Sequence, residues 1–133
     1  NPDYDYPNCE NNHINIPSKF YEKSIDILGR DRMYIICSNN IELTKKQKVF
    51  QGDNFIFNEV VPDDIYKGHF DLCLMSMCQD FIISNSTFAW WGAWLGKGEG
   101  KRVLIPTPWY GPGLSHISTD DLYPDEWEKI EWK

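Results

Sequence analysis

Four short, uniformly apolar runs alternate with helical segments along this chain, and that alternation is the strongest constraint on its fold. Strands that are buried on both faces have such runs, whereas a strand with one solvated face alternates apolar and polar residues. The four runs are residues 32–38, 54–58, 80–84 and 102–106. The pattern predicts an α/β domain in which helices cover both faces of a parallel sheet.

A segment with helical spacing of apolar residues precedes each predicted strand. These segments are residues 17–29, 41–50, 69–79 and 86–97. The third is apolar on most sides, so we expect it to be largely buried. The resulting order predicts a Rossmann-like, doubly wound parallel sheet with right-handed crossovers. We expect the tail after residue 106 to wrap its surface, with one helical turn near Pro124.

Residues 1–16 differ from the rest because they are rich in turn formers, show no periodicity and begin without Met. We interpret them as a loop that continues from an upstream part of a longer chain. Residues 17–133 form the predicted domain. With 133 residues, of which 41% are hydrophobic, the chain is long enough for one core.

Composition excludes several classes of partner. The formal net charge of −7 disfavours binding to nucleic acid, and no apolar run is long enough to span a membrane. The four cysteines include no Cys-x-x-Cys pair. We expect reduced thiols, with Cys37, Cys73 and Cys78 in the core and Cys9 exposed, which is typical of a cytoplasmic protein.

Motifs for other chemistries are missing from the sequence. It has no G-x-S-x-G, G-x-G-x-x-G or P-loop pattern, which counts against a serine hydrolase, a dinucleotide dehydrogenase and an NTPase. The acidic pairs Asp63–Asp64 and Asp120–Asp121 are isolated, as in solvated turns. We therefore predict no metal site and no cofactor.

Residues 84–87, Ser-Asn-Ser-Thr, lie where the third predicted strand leads into the fourth predicted helix. Ligands of doubly wound sheets bind beyond the carboxyl ends of strands. The first N–H groups of a helix lack internal acceptors and, with the macrodipole, attract anions. A phosphate or pyrophosphate fits this place, but a plain N-cap by Ser84 or Ser86 explains the same residues. The residues alone leave both interpretations open.

The aromatic segment behind these hydroxyls has a small-residue stripe formed by Ala89, Gly92, Ala93 and Gly96. Such a stripe lets a helix approach the sheet closely. For Trp91 and Trp94 we expect packing into the core, and base stacking by Trp90 has no support from the pattern.

Asp71 lies near the start of the third predicted helix. A carboxylate there is favourable simply because helix N-termini attract negative charge. A second interpretation is recognition of guanine, whose N1–H and exocyclic amine donate to one carboxylate as a pair. Position alone does not decide between them.

Residues 71–95, DLCLMSMCQDFIISNSTFAWWGAWL, resemble the carboxyl-terminal signature of the α-1,2-fucosyltransferases, glycosyltransferase family 11. The flanks FYEKSIDIL, YIICSNNIE and LIPTPWY are similar more loosely. The resemblance implies the carboxyl-terminal, donor-binding half of a GT-B enzyme. Such an enzyme transfers fucose from GDP-fucose, with inversion and without metal, to a galactose-containing acceptor in α-1,2 linkage.

The resemblance also implies roles for particular residues. Ser86 and Thr87 would bind the phosphates of GDP or GDP-fucose, and Asp71 would bind guanine. Phe88 would shape the pocket, and Asn85 belongs to the same donor-binding loop. Residues 17–133 would then be a nucleotide-sugar-binding domain.

One motif of the family, His-x-Arg-Arg-Gly-Asp-Tyr, is absent here, and so is the half that binds the glycan acceptor. An arginine of that motif would offset charge on the leaving diphosphate. We therefore expect this part alone to be inactive in transfer. The alternative functions are a non-catalytic Rossmann-like module that binds GDP and a domain that serves protein interaction.

Overall fold

The computed structural model describes residues 11–60 and 66–133, which form an α/β structure with parallel strands. Its helices and strands are α1 (Ser18–Leu28), β1 (Tyr34–Ile36), α2 (Ile41–Lys45), β2 (Phe55–Phe57), α3 (Lys67–Ser76), β3 (Phe81–Ile82), α4 (Thr87–Leu95), β4 (Val103–Thr107) and β5 (Glu128–Glu131). Short 3₁₀ turns occupy Lys48–Phe50, Pro112–Leu114 and Asp120–Leu122. The predicted α/β class is confirmed, and the arrangement is consistent with a Rossmann-like fold.

The described strands form two parallel ladders, β1-β2 and β3-β4-β5, where the sequence predicted one continuous sheet. β3 is very short, and its pairing with β4 continues one residue beyond its end, where Ile83 N donates to Leu104 O at 3.1 Å. Toward β1 the two ladders meet through side chains, because Ile82 and Ile36 pack against the same buried cluster. The connection between them is therefore made by side chains, through apolar packing and an ion pair between Arg32, before β1, and Asp80, before β3.

β4 separates two apolar layers. Val103 and Ile105 face a cluster that contains Ala93 of α4. Leu104, between them in sequence, packs instead against Phe20 of α1. Because successive side chains of a strand point to opposite faces, α1 and α4 cover opposite faces of this ladder. Coverage of both faces, which the apolar runs predicted, is thus present at β4.

β5 was not predicted, since the tail was expected to wrap the surface with a helical turn near Pro124. Only Ile130 of this strand is buried, and its Glu and Lys neighbours give it the composition of a surface segment. Arg102, just before β4, donates to both carboxylate oxygens of Glu128 at 2.7 and 2.8 Å. Hydrogen bonding to this guanidinium lowers the pKa of Glu128. The partner of β5 is thus distant in sequence, which explains why local patterns missed it.

The predicted small-residue stripe of α4 lies at close contacts. Ala93 is fully buried, and the Cβ that any larger residue would bring to Gly92 would lie 2.4 Å from Cε of Met75 on α3. At Gly96 an added Cβ would lie 2.5 Å from the ring of Phe81. The stripe therefore sets how closely α4 approaches α3 and β3.

The expected burial of the tryptophans was wrong. Trp91 and Trp94 are 53% and 50% exposed, because the inward face of α4 is occupied by small residues. Trp90 packs instead against the core cluster, and its Nε1–H donates to the carbonyl of Leu122 at 3.0 Å. It also stacks on Trp94, with ring centroids 5.1 Å apart. The tryptophan side chains of α4 thus cover the edge of the core.

The expected burial of α3 was also wrong. Asp71 is its one buried residue, because α3 contacts α4 along one side and leaves its other side exposed. Cys73 lies on that exposed side, whereas Cys37 and Cys78 are half-buried; all three are free thiols. Cys9 lies outside the described residues. No helix in the described ranges is long and apolar enough to cross a membrane.

The contact between Gly96 and Phe81 generates a prediction about stability. We expect Gly96→Ala to lower the free energy of unfolding by about 1–3 kcal/mol, because the new methyl group overlaps a buried ring. Gly96 has φ −59° and ψ 131°, which alanine adopts without strain, so the expected loss of stability comes from the steric overlap and not from the backbone. Urea denaturation followed by circular dichroism measures the change.

The matched control is Gly68→Ala, in the first turn of α3. Its added methyl group would also meet a ring, that of Tyr66 at 2.8 Å, but this ring is exposed and can rotate away. We expect a change of less than about 1 kcal/mol. Equal stability of Gly96→Ala and the unmodified chain would show that α4 can move away from β3 at little cost.

Candidate functional site

The first turns of α3 and α4 lie side by side beyond the strands that precede them. A Cβ added to Gly68 of α3 would be 3.7 Å from Cε2 of Phe88 on α4. β2 leads toward α3 and β3 leads into α4, so both helix starts follow carboxyl ends of parallel strands. This is the place where the sequence predicted a ligand.

Ser86 caps α4. Its backbone is extended, with φ −119° and ψ 127°, and its Oγ accepts a hydrogen bond from the backbone N–H of Ala89 at 3.4 Å. The N-cap interpretation is therefore confirmed. It does not exclude anion binding, because the Ser86 hydroxyl accepts in this bond and keeps its own O–H as a donor. Thr87 and Phe88, which follow in the first turn, are both exposed.

Asn85 fixes the loop between β3 and α4 to two other segments. Its side chain is buried, and Nδ2 donates to the carbonyl of Ile14 at 2.9 Å and to that of Trp109 at 3.3 Å. Trp109 follows β4, so one amide joins the ends of β3 and β4 to the incoming chain. Both donor hydrogens of the Asn85 amide are therefore used within the protein.

The segment before α1 runs along the loop that follows β4. Gly111 N donates to Asn12 O at 2.8 Å, and Gly113 N donates to Asn11 O at 2.7 Å. A Cβ at Gly111 would lie 2.4 Å from Asn11 O, so this approach requires glycine. Residues 11–16 have no helix or strand, and residues 1–10 of the predicted loop lie outside the described ranges. Residues 11–14 therefore lie beside the candidate site.

Asp71 is buried, with 6% of its surface exposed, although it was considered as a simple helix N-terminal carboxylate. Its Oδ1 accepts from Asn58 Nδ2 at 2.5 Å, and its Oδ2 accepts from Lys67 Nζ at 2.6 Å. The half-buried thiol of Cys37 is close enough to be affected: burial raises its pKa to about 11, and the negative charge of Asp71 adds to the rise. Cys37 therefore stays a neutral thiol at neutral pH.

Asn58 and Lys67 were missed by the sequence prediction. Lys67 is four residues before Asp71, the spacing at which helix side chains meet, and this signal was available. Asn58 directly follows the apolar run of β2, but nothing local indicates that it faces a carboxylate 13 residues later. The structure thus brings Asp71 together with two further polar residues.

The described residues contain no group of three or more His, Cys, Asp or Glu that could hold a metal ion. Of the two acidic pairs, Asp63 and Asp64 lie outside the described ranges. Asp120 sits in a 3₁₀ turn, where its carboxylate accepts from Ser118 Oγ at 3.0 Å. The described part of the site is therefore built from hydroxyls, backbone N–H groups and one buried carboxylate with its partners.

Comparison with known proteins gives the following relationships. A family model described as glycosyl transferase family 11 matches residues 7–131. The O-antigen biosynthesis glycosyltransferase WbnK of Escherichia coli is 31% identical over 119 residues, which cover 86% of this chain and 38% of that protein. An alpha-1,2-colitosyltransferase of Escherichia coli is 33% identical over 119 residues, which cover 85% of this chain and 39% of that protein.

The chain thus spans less than two fifths of the length of these curated relatives. No solved structure matches it significantly. The sequence resemblance carried by residues 71–95 is confirmed by the family match, which contains them.

The cap of α4 generates a second prediction. We expect Ser86→Ala to lower the free energy of unfolding by about 1 kcal/mol, because the N–H of Ala89 loses its acceptor. Ser86→Asp should keep stability close to that of the unmodified chain, since aspartate is an equally good cap and its charge suits the helix N-terminus. Urea denaturation of the three proteins tests this, and an Ala variant as stable as the other two would contradict it.

Proposed function

Because this chain belongs to glycosyl transferase family 11, we propose that it is the donor-nucleotide-binding domain of a fucosyltransferase. The enzyme would transfer fucose from GDP-fucose to a galactose-containing acceptor in α-1,2 linkage. The observation that carries the proposal is the buried Asp71 on α3, a helix whose first turn lies beside the exposed first turn of α4. We further propose that the α/β fold is the Rossmann-like, carboxyl-terminal half of a GT-B enzyme in the cytoplasm.

Guanine recognition is assigned to Asp71. Burial lowers the competition from water for its carboxylate, which strengthens hydrogen bonds to a base. N1–H and the exocyclic amine of guanine would donate to the two oxygens as a pair. Adenine presents an acceptor at N1 and has no 2-amino group, so it would leave this buried carboxylate without those bonds.

Diphosphate binding is assigned to the start of α4. The N–H groups of Thr87 and Phe88 lie in the first turn, where no intrahelical acceptor exists, and the hydroxyls of Ser86 and Thr87 can donate alongside them. The exposed ring of Phe88, beside Gly68, would form a wall between the phosphates and the base. Asn85 would hold this loop in place through its bonds to residues 14 and 109.

The remaining parts of the reaction are assigned to sequence beyond these 133 residues. Transfer with GDP as leaving group builds up negative charge, and a forked arginine offsets it best. Arg102 is engaged with Glu128, and Arg32 with Asp80, away from the α4 start. We propose that this domain alone binds the donor without transferring its sugar, and that the upstream part supplies the arginine and binds the glycan acceptor.

A second candidate differs only in the sugar. The name of one relative, alpha-1,2-colitosyltransferase, supports an α-1,2 linkage but names colitose as the sugar transferred by that protein. The residues assigned above would contact the nucleotide and would not distinguish one sugar from another. The GDP-linked form of colitose is therefore the second candidate donor, and transfer assays of the full-length enzyme with each of the two donors discriminate them.

Nucleotide titration tests the proposal. We expect the chain to bind GDP and GDP-fucose weakly, because the arginine is missing, and to prefer GDP over ADP and UDP by about tenfold or more. Asp71→Asn should abolish that preference, since the amide cannot accept both guanine donors. Isothermal titration calorimetry of each nucleotide gives the affinities.

The control separates phosphate binding from folding. Ser86→Asp keeps the cap of α4 but places a negative charge at the proposed phosphate site, so it should weaken the binding of GDP, GDP-fucose, ADP and UDP by a similar factor. Circular dichroism verifies that the variants are folded. Absence of binding, or equal binding of GDP and ADP that neither substitution changes, would favour the protein-interaction alternative.

A further inference from the structure

Asn58 is a buried polar residue that lies outside the sequence signature of residues 71–95. Its backbone N–H donates to Ile36 O at 2.9 Å, which extends the β1-β2 pairing by one residue. Its side-chain amide donates to Asp71 Oδ1 at 2.5 Å. The amide is therefore anchored to a strand and holds a carboxylate that belongs to a helix.

The two partners of Asp71 occupy different oxygens of its carboxylate. An ionised carboxylate offers about four acceptor positions, two on each oxygen. Asn58 uses one on Oδ1, and Lys67 uses one on Oδ2. Among the residues that the structure describes, these are the two partners of the carboxylate, so one position on each oxygen has no described partner, which matches the two adjacent donors of guanine.

Fold stability alone does not account for this cluster. Replacement of a buried charge pair by apolar residues of similar volume is often neutral or stabilising, so a buried carboxylate and its amide partner bring no clear gain. Lys67 neutralises the charge, but its side chain is 29% exposed and flexible. Asn58, which is buried and tied to β1, is the partner able to fix the plane of the carboxylate.

We propose that Asn58 is a positioning residue for base selectivity, which orients the Asp71 carboxylate so that it accepts both guanine donors. This inference rests on the proposed function, because it assigns the origin of selectivity within the same site. Asn58 itself touches the carboxylate and not the base. Loss of the Asn58 amide would leave the Asp71 carboxylate paired with Lys67 and free to rotate. Only one of the two guanine donors would then form a well-aligned hydrogen bond at a time.

Comparison of GDP with IDP tests the inference, because inosine lacks the exocyclic amine and keeps everything else. We expect the unmodified chain to prefer GDP by about tenfold, as a hydrogen bond to a charged acceptor implies. Asn58→Ala should reduce that ratio to about threefold or less. IDP affinity should change little, since a single N1–H donor still finds the carboxylate. Calorimetric titration of both nucleotides gives the ratio.

Asn54→Ala is the matched control. Asn54 lies just before β2, and its Nδ2 donates to Arg30 O at 3.1 Å and to Arg32 O at 2.9 Å. The Asn54→Ala variant thus loses side-chain amide bonds at the opposite end of the same strand. Its ratio of GDP affinity to IDP affinity should stay as in the unmodified chain. A purely structural role of Asn58 would instead weaken GDP and IDP by the same factor.

The outcomes separate this inference from the proposed function. If Asp71→Asn removes the preference for GDP and Asn58→Ala does not, the inference is overturned and the proposed function stands. If neither substitution alters it, or if the unmodified chain binds GDP and IDP equally, the positioning role is overturned. Absence of nucleotide binding by the unmodified chain would overturn both.

A measurement on the unmodified chain covers the case in which Asn58→Ala fails to fold. The side-chain amide resonances of Asn58, assigned by triple-resonance NMR, should shift on saturation with GDP, because guanine then shares its acceptor. Inorganic pyrophosphate, which lacks the base, should leave them in place. Resonances unchanged by GDP would overturn the proposal.

Discussion

Burial of β4 on both faces is the constraint on which the rest of this structure depends. Val103, Leu104 and Ile105 are fully buried, and full burial of such side chains contributes about 1.5–3 kcal/mol each. Because the side chains of these three residues point alternately to the two faces of β4, α4 packs on one face and α1 on the other. Because β3 and β5 pair with β4 in parallel, the carboxyl ends of all three strands lie at the same edge of this ladder. The candidate site follows from those ends, since α4 begins just after β3.

The start of α4 has to be held in place by more than its own helix. α4 has only nine residues, a length that is marginal for an isolated helix, so its packing fixes its direction. Gly92 and Gly96 allow it to contact Met75 and Phe81, and Asn85 ties the preceding loop to the end of β4. The first N–H groups therefore point in a direction set by the core. A binding site made of backbone groups requires this kind of preorganisation.

Features governed by one element could be predicted from the sequence, whereas features governed by a distant partner could not. The apolar runs and the Ser-Asn-Ser-Thr junction gave the order of elements and the start of α4 because periodicity and capping are local. β5 was missed because its Glu and Lys residues form a strand only beside β4. Trp91 and Trp94 were misplaced because small residues, and not the largest ones, occupy the inward face of α4. Asn58 escaped notice because its carboxylate partner comes from a separate helix.

The distribution of charge explains why this site depends on local groups. The chain has a formal net charge of −7, so its overall field repels a nucleotide diphosphate. Lys67 does not offset that field, because Asp71 neutralises it at 2.6 Å. The donors left for an anion are the N–H groups and hydroxyls at the start of α4, each with only a partial charge. A diphosphate bound to these donors would gain from a further cation, and the bonds of residues 11–14 to Asn85, Gly111 and Gly113 hold the segment before α1 beside them.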